Sequence, residues 1–345
     1  MPAHLALILL LALPIVSGPA VGGTLLVANK SEASVTLFGT PGYLELAVLP
    51  TGEGPHEVAV SPDGRRALVS NYGTRDRPGR SLTLVDVGAA RVLGDLELLP
   101  ATRPHGVEWL DDTRAVVTAE GISSLLLVDA EQRQVTATIP VDQDIAHMVA
   151  ASGALDRAFV ANIGSGTATA VDLAAGRKIA DLVAGEGSEG IALAGDDSEL
   201  WVTNRAADSV SVFSVPDLRP LAQIALPGFP IRAEADDHRG LVYITLPRAD
   251  ALVAIDRRTR QVRQRLDFKI GPDRSRKTLF GDMLPDSSIP IGVLLTADGK
   301  TLFVAHTNAH VVTAYDAQTL EREAVIRTGL EPDGMAWSPL EASAP

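Results

Sequence analysis

Hydrophobic and polar positions alternate along this chain in short segments that are separated by turn-forming residues. The segments ALVSNYG, AFVANIG, LWVTNRA and LFVAHTN are rich in branched and aromatic residues, and each leads into a turn. Alternation with a period of two indicates half-buried β-strands, because successive side chains of a strand point to opposite faces. The pattern therefore predicts an all-β fold built from many short strands.

Seven segments share one pattern and mark seven copies of a repeat: GPHEVAVSPDG, RPHGVEWLDD, IAHMVAASGA, GSEGIALAGDD, FPIRAEADDH, IPIGVLLTADG and EPDGMAWSPL. Each copy has one fixed point, and successive fixed points are 49, 42, 42, 42, 60 and 42 residues apart. A period near 42 with short alternating strands is typical of four-stranded propeller blades. We therefore predict a seven-bladed β-propeller with four-stranded blades. The fixed points are His56, His105, His147, Glu189, Ile231, Ile291 and Asp333.

The two ends of the chain supply complementary parts of one blade. The last copy of the repeat offers only a first strand, whereas the N-terminal segments GTLLVANK and SEASVTLFGT, with Leu44 to Leu49, offer three strands without a first one. Pairing one C-terminal strand with three N-terminal strands would close the ring and remove the open edges that template aggregation. The predicted propeller domain spans residues 23–340 and is followed by a short tail, 341–345.

The first 20 residues predict export. An apolar run from Leu5 to Val16 is followed by small residues, which is typical of a secretory signal peptide, here cleaved near Ala20. The run is too short to span a membrane, and we expect no transmembrane segment in the mature chain. Its n-region departs from the usual pattern because it has no Lys or Arg. We expect a periplasmic or secreted protein.

Composition excludes several classes of function. The chain has no cysteine, so disulfides, thiolate metal ligands and a catalytic thiol are all excluded. Its formal charge of −13 argues against binding nucleic acid over a broad surface, since phosphate contacts need a basic face. No catalytic elbow, phosphate loop or HExxH motif is present. The expected partner is a small molecule or a protein.

The strand sequences resemble a known family. LLVAN, LWVTN and LFVAH, together with PHEVAVSPDGRRALVSN, are similar to the YVTN-repeat propellers related to YncE, and the resemblance covers Gly23 to Leu340. It implies the propeller fold. It leaves the function open, because that family includes scaffolds, binding proteins and cofactor-using relatives, and a fold does not fix a function.

Five of the seven fixed points carry metal-ligating side chains and form one continuous arc of the ring. The first strand of a propeller blade lines the central channel, so these side chains are expected at the channel mouth. Imidazole and carboxylate groups together suit copper, zinc or iron, and we predict one such ion here. An open coordination position would support a metal-dependent oxidoreductase or a lyase. The predicted ligands are His56, His105, His147, Glu189 and Asp333.

Other polar residues are predicted to contact a ligand on the same face. Arg232 directly follows a fixed point, and His306 ends a second strand. The insertion from Phe268 to Pro290 is expected to fold over the channel mouth as a lid. A shorter insertion, 74–80, is predicted at the same end. The basic residues of the lid that would face an anionic ligand are Lys269, Arg274 and Arg276.

Structural roles remain open for all these residues. Pro-His-Gly is a common way to enter the first strand in this repeat family, so His56 and His105 could serve as caps. Arg232 could pair with a neighbouring carboxylate, and the arginines of the insertion could pair with its own aspartates. The alternative function is a non-enzymatic scaffold that docks a protein or peptide on its top face. It predicts no bound metal and ring histidines that tolerate alanine. Ring opening of a lactone is a further alternative, for which the sequence shows no motif.

Overall fold

The computed structural model describes residues 22–276, 278 and 281–343. This part of the chain contains 28 β-strands in seven four-stranded antiparallel sheets, together with three 3₁₀ turns at Glu120–Ile122, Pro247–Ala249 and Thr307–Ala309. The predicted signal segment, Leu5 to Val16, lies outside the described residues. No helix in the described ranges is long and apolar enough to cross a membrane. The predicted seven-bladed β-propeller is confirmed.

Each sheet is one blade, and the blades are numbered here from the one that joins the chain ends. Blade 1 contains β1 (Gly23–Asn29), β2 (Ser34–Thr40), β3 (Leu44–Pro50) and β28 (Pro332–Ser338). Blades 2 to 4 contain β4 (Pro55–Val60), β5 (Arg66–Gly73), β6 (Pro78–Asp86), β7 (Arg91–Glu97), β8 (Pro104–Trp109), β9 (Arg114–Ala119), β10 (Ser124–Asp129), β11 (Gln134–Pro140), β12 (Ala146–Ser152), β13 (Arg157–Asn162), β14 (Thr167–Asp172) and β15 (Arg177–Val183). Blades 5 to 7 contain β16 (Ser188–Ala194), β17 (Glu199–Asn204), β18 (Ser209–Ser214), β19 (Pro220–Ala225), β20 (Ala233–Asp236), β21 (Leu241–Leu246), β22 (Ala251–Asp256), β23 (Gln261–Asp267), β24 (Pro290–Leu295), β25 (Thr301–His306), β26 (Val311–Asp316) and β27 (Arg322–Arg327).

Blade 1 is closed by the two ends of the chain, as the sequence predicts. Strand β28 pairs antiparallel with β1, with Trp337 opposite Leu25 and Met335 opposite Val27. It also contacts β4 and β24, so that blade 1 packs against blades 2 and 7. The ring therefore closes through hydrogen bonds between segments that are more than 300 residues apart.

The hydrophobic core lies between neighbouring blades. One cluster joins Leu68 and Leu82 of blade 2 to Val117 and Leu126 of blade 3, and equivalent clusters follow around the ring. The two middle strands of each sheet are largely buried, the innermost strands are partly exposed to the channel, as in β4, and the side chains of the outermost strands alternate between exposed and partly buried, as in β11. Burial contributes about 25 cal/mol per Å² of apolar surface, so packing between blades supplies the stabilisation in a chain without disulfides.

The insertions differ in part from the prediction. Residues 78–80 belong to β6, because Pro78 pairs with Gly73 and prolongs the β5–β6 hairpin, so the shorter insertion is only 74–77. The longer insertion forms no strand in its described residues between β23 and β24. Both connections lie at the top end of the propeller.

Candidate functional site

In six blades the fixed point of the repeat is the second residue of the innermost strand, whereas in blade 6 Ile231 lies two residues before β20 begins. In six of the seven blades the pairing with the next strand shifts at this place. In blade 3, for example, Pro104 lies opposite Ala119 and Val107 opposite Val117, which leaves His105 and Gly106 in a bulge. A bulge bends its strand and redirects the side chain. It therefore explains why these side chains converge at the channel mouth.

Hydroxyl groups of the second strands hold the bulges in place. The Thr118 hydroxyl accepts a hydrogen bond from the amide of Gly106 at 2.8 Å and donates one to the carbonyl of His147 in the next blade. Glycine is required at position 106, because a Cβ there would lie 2.7 Å from the backbone nitrogen of Val149. The innermost strand of blade 3 is thus fixed to the ring residue of blade 4. The same arrangement recurs with Thr203 at Gly190 and with Thr245 at Arg232.

A second ring of polar side chains supports the first. These residues occupy one repeat position at the end of the second strand: three of them lie one position beyond the strand, and Tyr72 is the last but one residue of β5. Lys30 and Arg205 pair with the inner-ring residue of their own blade, Glu120 pairs with His147 of the next blade, and Tyr72 hydrogen-bonds Glu120. In blades 4, 6 and 7 the same position holds Ile163, Pro247 and Thr307.

The group His105, Glu120 and His147 could hold a metal ion. One donor atom from each residue lies within 4.8 Å of the other two. The His147 Nδ1 is 2.5 Å from the Glu120 Oε1, and the rings of His105 and His147 lie against each other at a tilt of 38°, with centroids 3.6 Å apart. Both histidines are buried, and the Nδ1 of His105 has no hydrogen-bond partner among the described residues. Two imidazoles and a carboxylate therefore share one buried position.

Glu189 takes part in a charged network beside this group. Its carboxylate is 3.5 Å from the His147 Nε2, 2.5 Å from the Arg205 Nη1 and 3.5 Å from the Arg232 Nη1. Arg232 in turn reaches Glu57 on the opposite side of the channel, with 2.6 Å between Nη2 and Oε1. The structure therefore places Arg232 in the channel but engages it with neighbouring carboxylates.

The remaining two predicted ligands lie at the other end of the arc. Asp333 forms a buried ion pair with Lys30 at 2.8 Å. His56 packs against Tyr72, with ring centroids 4.5 Å apart, and against His105 at 4.8 Å. Its Nδ1 lies 2.9 Å from the carbonyl of Gly54, which leaves Nε2 as the free acceptor. His56, Glu189 and Asp333 thus border the three-donor group without belonging to it.

Burial and pairing set the protonation of the site. Burial holds the pKa of His105 and of His56 well below the usual range, with a further decrease from neighbouring cations. Burial also lowers the pKa of His147, but its contacts with Glu120 and Glu189 outweigh this and raise the pKa overall. For Glu189, burial is outweighed by His147 and the arginines, and the pKa falls to about 2. The His105 imidazole is therefore neutral, as metal binding requires, and it lies against the His147 imidazole, which binds a proton more readily than usual.

The structure does not bring His306 into the site. Its side chain is fully buried inside blade 7, where Nδ1 is 2.8 Å from the Ser288 hydroxyl and Nε2 is 2.9 Å from the Thr313 hydroxyl. Phe268 packs against the ring face. Burial lowers the pKa of His306 to about 3. Both ring nitrogens are hydrogen-bonded within blade 7. His306 was predicted to contact a ligand, but in the structure it belongs to a buried hydrogen-bond network.

The insertion from Phe268 to Pro290 meets the apolar part of the ring rather than the histidines. Its Leu284 packs against an apolar cluster that contains the two apolar fixed points, Ile231 and Ile291, together with Ile289. Arg274 forms an exposed ion pair with Asp286, which is the structural alternative that the sequence left open. Two further predicted contacts are exposed and form no ion pair in the described structure, namely Lys269 and Arg276.

Sequence reasoning missed five residues of the site: Lys30, Tyr72, Glu57, Glu120 and Arg205. A signal was available for all of them except Glu57, because the other four occupy one repeat position at the end of the second strand. Their chemistry differs from blade to blade, so the position does not stand out as a motif.

Comparisons with known proteins support the fold alone. No protein-family model matches the chain, and no curated protein matches it. A functionally unknown protein from Desulfotomaculum acetoxidans DSM 771 is similar in structure, with a TM-score of 0.74 at 13% identity over 91% of this chain and 98% of that one. NirN, described as dihydro-heme d1 dehydrogenase in complex with DHE, has a TM-score of 0.64 at 15% identity over 91% and 74%. AztD from Citrobacter koseri has a TM-score of 0.58 at 14% identity over 92% and 97%.

Proposed function

We propose that this chain is an exported β-propeller that binds a transition-metal ion at the mouth of its channel. The observation that carries the proposal is the buried group His105, Glu120 and His147, with donor atoms within 4.8 Å of one another. Two nitrogens and one oxygen match zinc sites that keep a fourth position for water or substrate. Copper and iron accept the same donors. The unpartnered Nδ1 of His105 supports the proposal, because a buried polar atom without a partner is costly.

The donors need only small movements to reach coordination distances. Ligands about 2.0 to 2.1 Å from a tetrahedral ion lie about 3.3 Å from one another. The present separations, from 2.5 Å between His147 and Glu120 up to the 4.8 Å limit, bracket that value. Tyr72 donates a hydrogen bond to the second carboxylate oxygen of Glu120 at 2.6 Å and would orient it.

An open coordination position would allow metal-dependent redox or lyase chemistry. The similar fold of NirN, whose description names a dehydrogenase with a bound ligand, is compatible with such a role. The strand sequences favour membership of the YVTN-repeat, YncE-like propellers, and the predicted leader favours the periplasm or the exterior. The metal site itself rests on the geometry of the three residues and on neither analogy.

Metal analysis of the exported full chain tests the proposal. Protein purified without a His-tag or chelator is expected to contain about one transition-metal ion per chain or to bind one on titration with zinc or copper. His147→Ala should weaken binding by about a hundredfold or more. His238→Ala is the matched control, because that histidine lies on the opposite face, where its Nε2 is 3.3 Å from the carbonyl of Ala297.

Two results would contradict the metal site. Wild-type protein without metal and without affinity on titration would leave the docking scaffold as the better reading. Equal loss of metal in the His147→Ala and His238→Ala variants would place the binding elsewhere on the chain. In either case the buried imidazoles would be packing elements of the ring.

A further inference from the structure

Below the two rings of the candidate metal site, the central channel opens into a cavity of about 330 Å³. Glu57 and Arg232 line it, and their ion pair crosses the channel from blade 2 to blade 6 as a roof. Apolar side chains of the inner strands, including Met148 and Met335, form its walls. The volume lies at the lower end of the range for small-molecule sites. Nothing in the proposed metal site uses this space.

Two glutamates face each other across this cavity. Glu108 and Glu234 occupy the same repeat position in blades 3 and 6, and in a ring of seven these blades lie on opposite sides. Glu234 accepts a hydrogen bond from the amide of Leu295 at 3.0 Å. Glu108 is open to the channel and has no ion pair or hydrogen bond in the described structure. At the same position the other five blades carry Ala59, Ala150, Ala192, Leu294 and Ala336.

In the part of the chain that the structure describes, Glu108 and Glu234 have no basic side chain beside them to balance their charge. The enclosed channel, with Glu234 and Asp197 nearby, raises the pKa of Glu108 to about 8. Burial raises the pKa of Glu234 to about 7 although the amide of Leu295 opposes the shift. The nearest basic group that lines the cavity, Arg232, is already paired with Glu57. The two carboxylates therefore lack a positive partner.

The lower mouth of the channel is acidic as well. The turns between the first and second strands, which surround this mouth, carry eight aspartates against three Arg or Lys residues. A negative rim of this kind raises the local concentration of cations and steers them inward. The aspartates are Asp63, Asp111, Asp112, Asp156, Asp196, Asp197, Asp237 and Asp298, and the basic residues are Arg65, Arg239 and Lys300.

We propose that this cavity binds a small primary alkylammonium compound, with its nitrogen held by Glu108 and Glu234 and its alkyl part against Met148 and Met335. A primary ammonium group donates three hydrogen bonds and can satisfy carboxylates on two walls. An inorganic cation such as calcium takes six to eight oxygen ligands, which walls of alanine, valine and methionine do not offer. The ammonium site shares no residue with the proposed metal site, so each proposal can be tested without the other.

Calorimetric titration of the full chain with pentylammonium tests this site. We expect saturable binding of one equivalent at pH 9, where the glutamates are ionised and the amine is still charged. Glu108→Gln should weaken it by about tenfold or more, since hydrogen bonds between charged groups are lost. Glu97→Gln is the control, because Glu97 is exposed on the outer strand β7. Affinity should rise between pH 6 and pH 9 as Glu108 and Glu234 lose their protons.

Several results would overturn the proposal. If 1-pentanol binds as well as pentylammonium, the cavity recognises only the alkyl chain. If Glu108→Gln and Glu97→Gln bind alike, the carboxylate takes no part. If sodium or calcium abolishes binding in proportion to its own occupancy of the cavity, the site belongs to an inorganic ion. Glu234→Gln repeats the test on the opposite wall should Glu108→Gln fail to fold, and it retains the acceptor for Leu295.

Discussion

The ion pair between Glu57 and Arg232 lets the energetics of the channel be measured directly. Both side chains are largely buried, at 12% and 9% exposure, and Arg232 also lies 3.5 Å from Glu189. Arg232→Met keeps the aliphatic volume but leaves buried carboxylates without their cation. Breaking a buried pair in this way costs about 3 to 5 kcal/mol of unfolding free energy. Burial already raises the pKa of Glu57, so this carboxylate can take up a proton, and we expect the lower end of that range.

A double-mutant cycle separates the pair from its surroundings. Glu57→Gln leaves Arg232 close to Glu189 and should cost less than Arg232→Met. The double variant should lose about 1 to 3 kcal/mol less than the sum of the single losses, because residues in contact couple by such amounts. Urea unfolding at pH 7, followed by tryptophan fluorescence, gives the free energy of unfolding of the wild type, the two single variants and the double variant.

An exposed pair provides the control for this cycle. Arg77 and Glu53 are 75% and 42% exposed and 2.6 Å apart, so Arg77→Met with Glu53→Gln should show a coupling of at most about 1 kcal/mol. The reasoning is refuted if the Glu57 and Arg232 losses add within about 0.5 kcal/mol. It is equally refuted if the exposed pair couples as strongly as the buried one.

Three further predictions concern packing, pH and metal affinity. Gly190→Ala places a Cβ 2.0 Å from a carbonyl oxygen of the next blade and should cost about 3 kcal/mol in urea unfolding, whereas Gly271→Ala, with open space, should be near neutral. The folded-state pKa of His306, about 3, lies below the ordinary 6.5, so the unfolded chain takes up the proton first. The contribution of His306 to the free energy of unfolding should be complete above pH 6.5 and should fall by up to about 5 kcal/mol as the pH decreases towards 3. The free energies of unfolding of the wild type and of His306→Gln, measured in urea, should therefore converge over that pH range. Tyr72→Phe removes the hydrogen bond to Glu120 and should weaken zinc binding by about tenfold in titration, with unchanged affinity speaking against the orienting role.

The fold could be predicted because the repeat carries the same physical requirements seven times. Each copy needs alternating strands, turn formers and a closely packed entry to the innermost strand, and one blade needs both chain ends. The fixed point also indicated which side chains reach the channel mouth. The position of the fixed point is set by backbone geometry, because in each of these blades the bulge begins at the fixed point, at His105, Glu189 and Asp333.

The partners of the ring residues could not be predicted in the same way. Lys30 pairs with Asp333 across 303 positions of the sequence, and Glu120 pairs with a histidine of the following blade. The first contact joins the two ends of the chain within blade 1, and the second depends on how two neighbouring blades face each other, so a single copy of the repeat encodes neither. His306 shows the opposite error: a histidine at the top end was expected near a ligand, but second-strand ends point between blades, where hydroxyls satisfy both of its nitrogens.

The position directly after each fixed point carries a signal that the repeat itself defines. Four blades have glycine there, because a Cβ would approach backbone atoms of the next blade within 2.0 to 2.7 Å. The three exceptions are Glu57, Met148 and Arg232, which add side chains to the cavity beneath the ring, whereas Gly292 and Gly334 border it without one. A side chain at this place gives up close packing between two blades to put a group into the channel. The departures from glycine therefore mark the ion pair and the cavity more directly than the histidines do, and they could have been found from the repeat alone.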